Sequence, residues 1–314
     1  MTFLAVSSIE PWLIGCCALA CACATPSHAP AQSAAGPAPI ILGQSYTLQS
    51  QVLGDAREVN VWTPPDDEQS TDRYTVLYVI DGGLDQDFPH IAGLGHLGAL
   101  SWTYEKLIIV GVRTNVRRHE LTPPIRLEPR LAREMPEAGG AERFRDYLQR
   151  EVIPFVEKNY RCGPRRAVLG ESLAGLFIVD TFFEQPGLFH DFIAVSPSLW
   201  WDNKALAMSA SQRLRSRPLG DDRLYLTIAN EGGAMQTGMD LLLAALQSVP
   251  ENTHRFRFVD RSSLATHATI YHVAALDALR WLYGLPEPDY GPTPWYFLDE
   301  ADRTTQIHAG AEAG

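Results

Sequence analysis

Cysteine is nearly missing from the body of this chain. Four of its five cysteines crowd at positions 16, 17, 21 and 23, and only Cys162 lies beyond them. No disulfide can therefore close within a folded domain, and cysteine usage does not settle the compartment. Positive charge is in deficit, with 26 Lys and Arg against 37 Asp and Glu and a formal net charge of −11. A general nucleic-acid binder needs a basic excess to neutralise phosphates, so no nucleic-acid partner is expected. The apolar run near the start, Pro11 to Ala24, is too short for a comfortable membrane span. No internal repeat is visible. The chain has no H-E-x-x-H, and His90, His96 and His119 lack metal-ligand spacing. Between Gly170 and Gly175 there is neither the G-x-G-x-x-G of a dinucleotide turn nor the Lys-Ser/Thr of a P-loop. Neither a metal nor a cofactor is expected.

What is present suits one large domain: 314 residues, 46% of them hydrophobic, enough to bury a sizeable core. Residues 1–24 end in small residues, with Ala22-Cys23-Ala24 as an A-x-A-like cleavage site, which predicts a secretory signal and an exported protein. Glu10, rather than a Lys or Arg, precedes the run. Leu13-Ile14-Gly15-Cys16 offers a second route, a bacterial lipobox with a lipid anchor on Cys16. Residues 25–39, rich in Ala, Pro, Ser and Gly, read as a linker with nothing to bury. The folded domain is expected over 40–285, followed by a Pro-rich tail over 286–314 that Trp295, Tyr296 and Phe297 could pin down.

Within the domain, strands are predicted at Glu58–Trp62, Thr75–Ile80, Leu107–Val112, Ala167–Leu169, Phe192–Val195, Leu224–Ile228 and Phe256–Val259. Helices are predicted over Ala141–Tyr160, with a kink at Pro154, over Leu173–Phe183, and over about Gly238–Ser248 and Tyr271–Tyr283. Strands alternating with helices imply an α/β fold, a mostly parallel central sheet with helices on both faces.

The stretch Arg166 to Val179 organises the rest. It reads as a buried strand, a sharp turn carrying Gly170-Glu171-Ser172-Leu173-Ala174-Gly175, and an apolar helix. A nucleophile elbow places its serine on such a turn, and residues two before and two after must be small. Gly170 and Ala174 meet that demand. The N–H groups at the start of the helix favour an oxyanion. A serine nucleophile needs a base, and the base an orienting acid. His267 lies in the loop before the last helix, whereas His272 falls inside that helix. Glu231 follows the strand ending near Ala229, and Asp260 competes with it from the end of the next strand. Asp81-Gly82-Gly83-Leu84 follows an early strand and would supply a second oxyanion N–H, that of Gly83, beside that of Leu173.

Several stretches run in one order: Leu77–Gly82, Val110–Arg113 with Arg117-Arg118 and Leu121–Pro123, Glu151–Phe155, Gly170–Gly175, Ser196-Pro-Ser-Leu-Trp-Trp201 and Thr266-His267. Together, over roughly residues 45–285, they resemble the "putative esterase" branch of the α/β-hydrolase superfamily, which includes esterase D and the siderophore trilactone esterases. The resemblance implies Ser172 as nucleophile and His267 as base; Glu231 is the expected acid, with Asp260 its competitor. It also implies a small or medium ester as the small-molecule substrate, a siderophore lactone among the options. Trp200 and Trp201 would wall the acyl pocket, and Arg117 would meet an acidic or catechol-bearing substrate. An acyltransferase on the same fold and an inactive binding protein are the competing expectations.

Overall fold

Strict alternation of apolar side chains builds the central sheet. In β3 (Tyr74–Ile80), Tyr74, Val76, Tyr78 and Ile80 enter one hydrophobic layer, while Leu77 and Val79 enter the other. β5 (Cys162–Glu171) and β6 (Asp191–Val195) repeat the pattern, with Val168, Phe192 and Ala194 on the first face and Leu169, Ile193 and Val195 on the second. Strands apolar on both faces need cover on both, as expected of parallel sheets.

The computed structural model describes residues 36–65, 70–216, 220–249, 255–286 and 295–300. The expected leader, the lipid site at Cys16, residues 25–35 of the linker and most of the tail lie outside the described residues. One compact unit runs from Leu42 onward. Its other strands are β1 (Gln44–Gln49), β2 (Ala56–Trp62), β4 (Leu107–Val112), β7 (Arg223–Ile228) and β8 (Phe256–Asp260). Among the described residues they form one eight-stranded sheet, ordered β1-β2-β4-β3-β5-β6-β7-β8. β1 pairs antiparallel with β2, and β2 with β4; every other pairing is parallel. This is the α/β-hydrolase arrangement.

Helices α1 (Phe88–Leu100) and α9 (Ile270–Tyr283) cover one face. The other face is covered by α4 (Ala141–Tyr147), α5 (Ile153–Asn159), α6 (Leu173–Glu184), α7 (Trp201–Ser216) and α8 (Gly233–Gln247). Two short helices, α2 (Arg117–Glu120) and α3 (Pro129–Glu134), lie in the segment after β4. No helix among the described residues is long and apolar enough to cross a membrane.

Two details differ from the sequence expectations. The helix over 141–160 is broken by a π-helical turn, Leu148–Val152, which sits before Pro154 rather than at it. Proline lacks the N–H that would close a regular turn, and the wider turn absorbs the mismatch. α8 starts at Gly233, earlier than about 238. Tyr296 and Phe297 sit in a short 3₁₀ turn with 60% and 75% of their surface exposed.

Candidate active site

Parallel strands place their C-terminal ends along one edge, and three loops there converge. Ser172 follows β5 directly, at φ 61° and ψ −114°. A non-glycine residue rarely adopts that conformation, and it persists only where the surroundings fix it. They do so here by close approach. A Cβ on Gly170 would stand 2.5 Å from the Cβ of Ala174, so the strand and the helix leave no room for a side chain. Ser172 N–H donates to Val195 O (3.0 Å), and Ser172 O accepts from Ser198 N–H (3.0 Å). The turn is thereby tied to the end of β6.

Glu231 lies between β7 and α8, and His267 between β8 and α9. Their side chains meet: His267 Nδ1 and Glu231 Oε1 are 2.7 Å apart. The same carboxylate oxygen accepts from Ser196 Oγ at 2.6 Å. Ser196 in turn accepts from Ala229 N–H at 3.2 Å, and its φ of 39° is also left-handed. Burial pushes the Glu231 carboxyl up, but the hydrogen bonds from Ser196 and His267 outweigh it and hold the group below the usual carboxylate range. Asp260 is elsewhere engaged. It is exposed, and its Oδ1 accepts from Ser262 N–H at 2.8 Å. His272 is exposed on α9 and stacks edge-on against His90, with ring centroids 4.8 Å apart.

Ser172, Leu173, Ser198, Glu231 and His267 line one cavity of about 410 Å³. Trp200, Trp201 and Met235 supply apolar wall, and Arg117 and Arg118 supply charge. Trp201 is buried and donates from Nε1 to Pro123 O (3.1 Å), which fixes its indole. Arg117 donates from Nε to Asp81 Oδ2 (2.6 Å) and from Nη2 to Glu171 O (3.2 Å). Its guanidinium thus braces the elbow as well as facing the cavity. Trp201 also lines a larger cavity of about 630 Å³, which holds neither Ser172 nor His267. The chemistry-bearing cavity is the smaller one. Among the described residues, no three His, Cys, Asp or Glu side chains gather to hold a metal ion.

Gly83 departs from expectation. It does not line the cavity. Its N–H donates to Oε1 of Gln86 at 2.9 Å, because Gln86 is locked by bonds from its own Nε2 to Thr114 and folds back over the turn.

Three residues carry features that the sequence reading did not assign. Ser198 Oγ lies 3.3 Å from Ser172 Oγ. Ser196 holds Glu231, as above. Glu171 is pushed up to about 7 by burial, with the charges of Asp87 and Glu231 adding to the push against those of His267 and Arg117. All three sit inside stretches already singled out, Ser196–Trp201 and the elbow itself, but position was the only signal.

The model of the family described as "Putative esterase" matches residues 50–276. The chain belongs to that family. Among curated relatives, it is 38% identical over 71 residues to ferri-bacillibactin esterase BesA of Bacillus subtilis, covering 22% of this chain and 25% of that one. It is 36% identical over 104 residues to a siderophore enterobactin esterase of Emericella nidulans, covering 30% and 34%. The chain thus spans about a quarter and a third of the lengths of these two relatives. Among solved structures, it resembles an IroE-like serine hydrolase from Shewanella oneidensis, at a TM-score of 0.67 and 26% identity over 84% of this chain and 86% of that one.

Proposed function

We propose that the protein is a serine carboxylic-ester hydrolase working through Ser172, His267 and Glu231. The observation that carries this reading is the 2.7 Å contact between His267 Nδ1 and Glu231 Oε1, opening on the cavity that also holds the strained Ser172. An acid on Nδ1 fixes the tautomer that leaves Nε2 as the base. Ser172 Oγ attacks the ester carbonyl and gives its proton to His267. The N–H of Leu173, first residue of α6, has no intrahelical partner and receives the developing oxyanion. His267 passes the proton to the leaving alcohol. It then takes a proton from water, which attacks the acyl-enzyme, and returns it to Ser172 Oγ as the bond to the acyl carbon breaks and the acid leaves.

Relatives named as siderophore esterases support a siderophore lactone as one ester to test, alongside 4-nitrophenyl esters of rising chain length. Trp200 and Trp201 would wall the acyl group, and Arg117 would meet an anionic substituent. The test is Ser172→Ala, which is expected to abolish hydrolysis and labelling by a fluorophosphonate probe at unchanged melting temperature. Labelling of the variant at the wild-type level overturns the reading. Export, with or without lipidation at Cys16, is tested separately by mass spectrometry of the mature N-terminus from native cells. A retained Met1 overturns it.

A further inference from the structure

Three consecutive N–H groups of the turn after β3 are engaged. Gly82 N–H donates to Val112 O at 2.9 Å, Gly83 N–H to Gln86 Oε1 at 2.9 Å, and Leu84 N–H to Glu58 Oε1 at 3.0 Å. Ester hydrolysis through a tetrahedral intermediate nonetheless calls for a donor beside Leu173 N–H, since one N–H rarely holds an oxyanion alone. The cavity contains a neutral hydroxyl in reach. Ser198 is 2% exposed, lines the cavity, and stands 3.3 Å from the attacking oxygen. Its backbone is pinned to the elbow by the Ser198 N–H to Ser172 O bond of 3.0 Å.

We infer that the Ser198 hydroxyl is the second oxyanion donor of this site, which rests on the esterase reading above. At rest it pairs with Ser172 Oγ. When Ser172 Oγ bonds to the carbonyl carbon, the carbonyl π pair moves to oxygen and the Ser172 proton goes to His267. Ser172 Oγ then has less to offer as a partner, and the new oxyanion, bonded to the same carbon, is the stronger acceptor nearby. Ser198 turns its O–H to that oxygen and keeps its own proton throughout. A buried hydroxyl that needs no reorganisation of its backbone suits that task.

The experiment compares wild type, Ser198→Ala and Ser198→Thr on 4-nitrophenyl butyrate and on an alkyl trifluoromethyl ketone, which forms a hemiketal oxyanion with the nucleophile. Ser198→Ala is expected to lower kcat about 10²-fold with KM within about twofold. It is expected to weaken the ketone by a similar factor, whereas Ser198→Thr, which keeps a hydroxyl, recovers part of both. Unchanged kcat in Ser198→Ala, or a kcat loss with full ketone affinity, overturns the inference. Ser172→Ala measured in parallel separates the two levels, because its activity at the wild-type level refutes the esterase reading rather than the role of Ser198.

Discussion

Two carboxylates at opposite edges of one sheet, one fully buried and one half-buried, are treated in opposite ways. Asp191 opens β6 at the N-terminal edge, fully buried. Arg165 reaches it at 2.7 and 3.2 Å, Arg223 at 2.7 Å and the Tyr283 hydroxyl at 2.6 Å. Burial would push its carboxyl up, but the bonds from Arg223, Arg165 and Tyr283 overcome that and hold it low. Glu231, beyond β7 at the C-terminal edge, crowds both of its donors onto Oε1, and its Oε2 is buried without a protein partner among the described residues. Glu171 Oε1 is in the same condition. Left-handed backbone at Ser172 and Ser196 adds to the contrast. At Asp191 the N-terminal edge is saturated, whereas at Glu231 and Ser172 the other is left strained and under-bonded, the condition expected of groups whose partners change during a reaction. Perturbed carboxylates alone do not mark a site; unfilled acceptors beside the strained serine proposed as nucleophile are the stronger sign.

The sharpest way to break the comparison is at Glu231. Glu231→Gln keeps the volume but frees the imidazole to take the wrong tautomer. Turnover is expected to fall on the order of 10³–10⁴-fold with an unchanged melting temperature. Asp260→Asn, at a carboxylate that bonds to Ser262, is expected to stay near wild type. A large loss in Asp260→Asn with normal Glu231→Gln would reverse the assignment of the acid.

The saturated edge should respond through folding rather than chemistry. Asp191→Asn leaves two half-buried guanidinium groups without their counter-charge, and it is expected to destabilise the fold by about 1.5–3 kcal/mol. Denaturant unfolding measures that loss, and kcat per folded molecule should be unchanged. A normal unfolding midpoint with damaged kcat would mean that the two edges had been assigned the wrong roles.

Ser196→Ala is the milder perturbation of the reactive edge. It removes one of the two donors to Glu231 Oε1 and leaves the His267 contact. A hydrogen bond to a charged group contributes about 1.5–3 kcal/mol, so a loss of about tenfold or somewhat more in kcat at constant KM is expected. Steady-state kinetics with an unchanged kcat would show that the carboxylate is positioned without Ser196.

Much of this was legible in the chain. Seven of the strands follow from short β-branched runs, and the elbow from Gly170, Ser172 and Ala174 set between strand and helix. What stayed hidden depends on long-range closure. α1 carries Gly93, Gly95 and Gly98, poor helix formers, yet a Cβ on Gly98 would stand 2.3 Å from the Tyr104 ring, so the glycine serves packing that no local pattern reveals. α7 opens with left-handed φ at Asp202, Asn203 and Lys204, and the Asp202 carboxylate is tied to the N–H groups of Arg126, Leu127 and Glu128. The choice between Glu231 and Asp260 was likewise a matter of which loop folds toward His267. Gly83 N–H bonds to a side chain only three places on, Gln86, but what holds that side chain there is Thr114, 28 residues away.

Glu171 gives the smallest effect and the cleanest sign. Burial, with the charges of Asp87 and Glu231, holds its proton up to about 7, against the opposing pull of His267 and Arg117. An unfolded glutamate releases its proton near 4.3. Between those values the folded protein binds a proton that the unfolded chain does not, so stability falls as pH rises through that window. Glutamine mimics the protonated carboxyl and cannot ionise. Glu171→Gln should therefore raise the melting temperature more at pH 8 than at pH 5. Asp191 has its folded value shifted the other way, below that of the unfolded chain. Its contribution is complete above the unfolded carboxylate range, so Asp191→Asn should lower the melting temperature by similar amounts at both pH values. An equal or absent gain for Glu171→Gln at the two pH values would show that its carboxyl is not held protonated. The contrast between a stressed C-terminal edge and a saturated N-terminal one would then rest on Glu231 and the backbone alone.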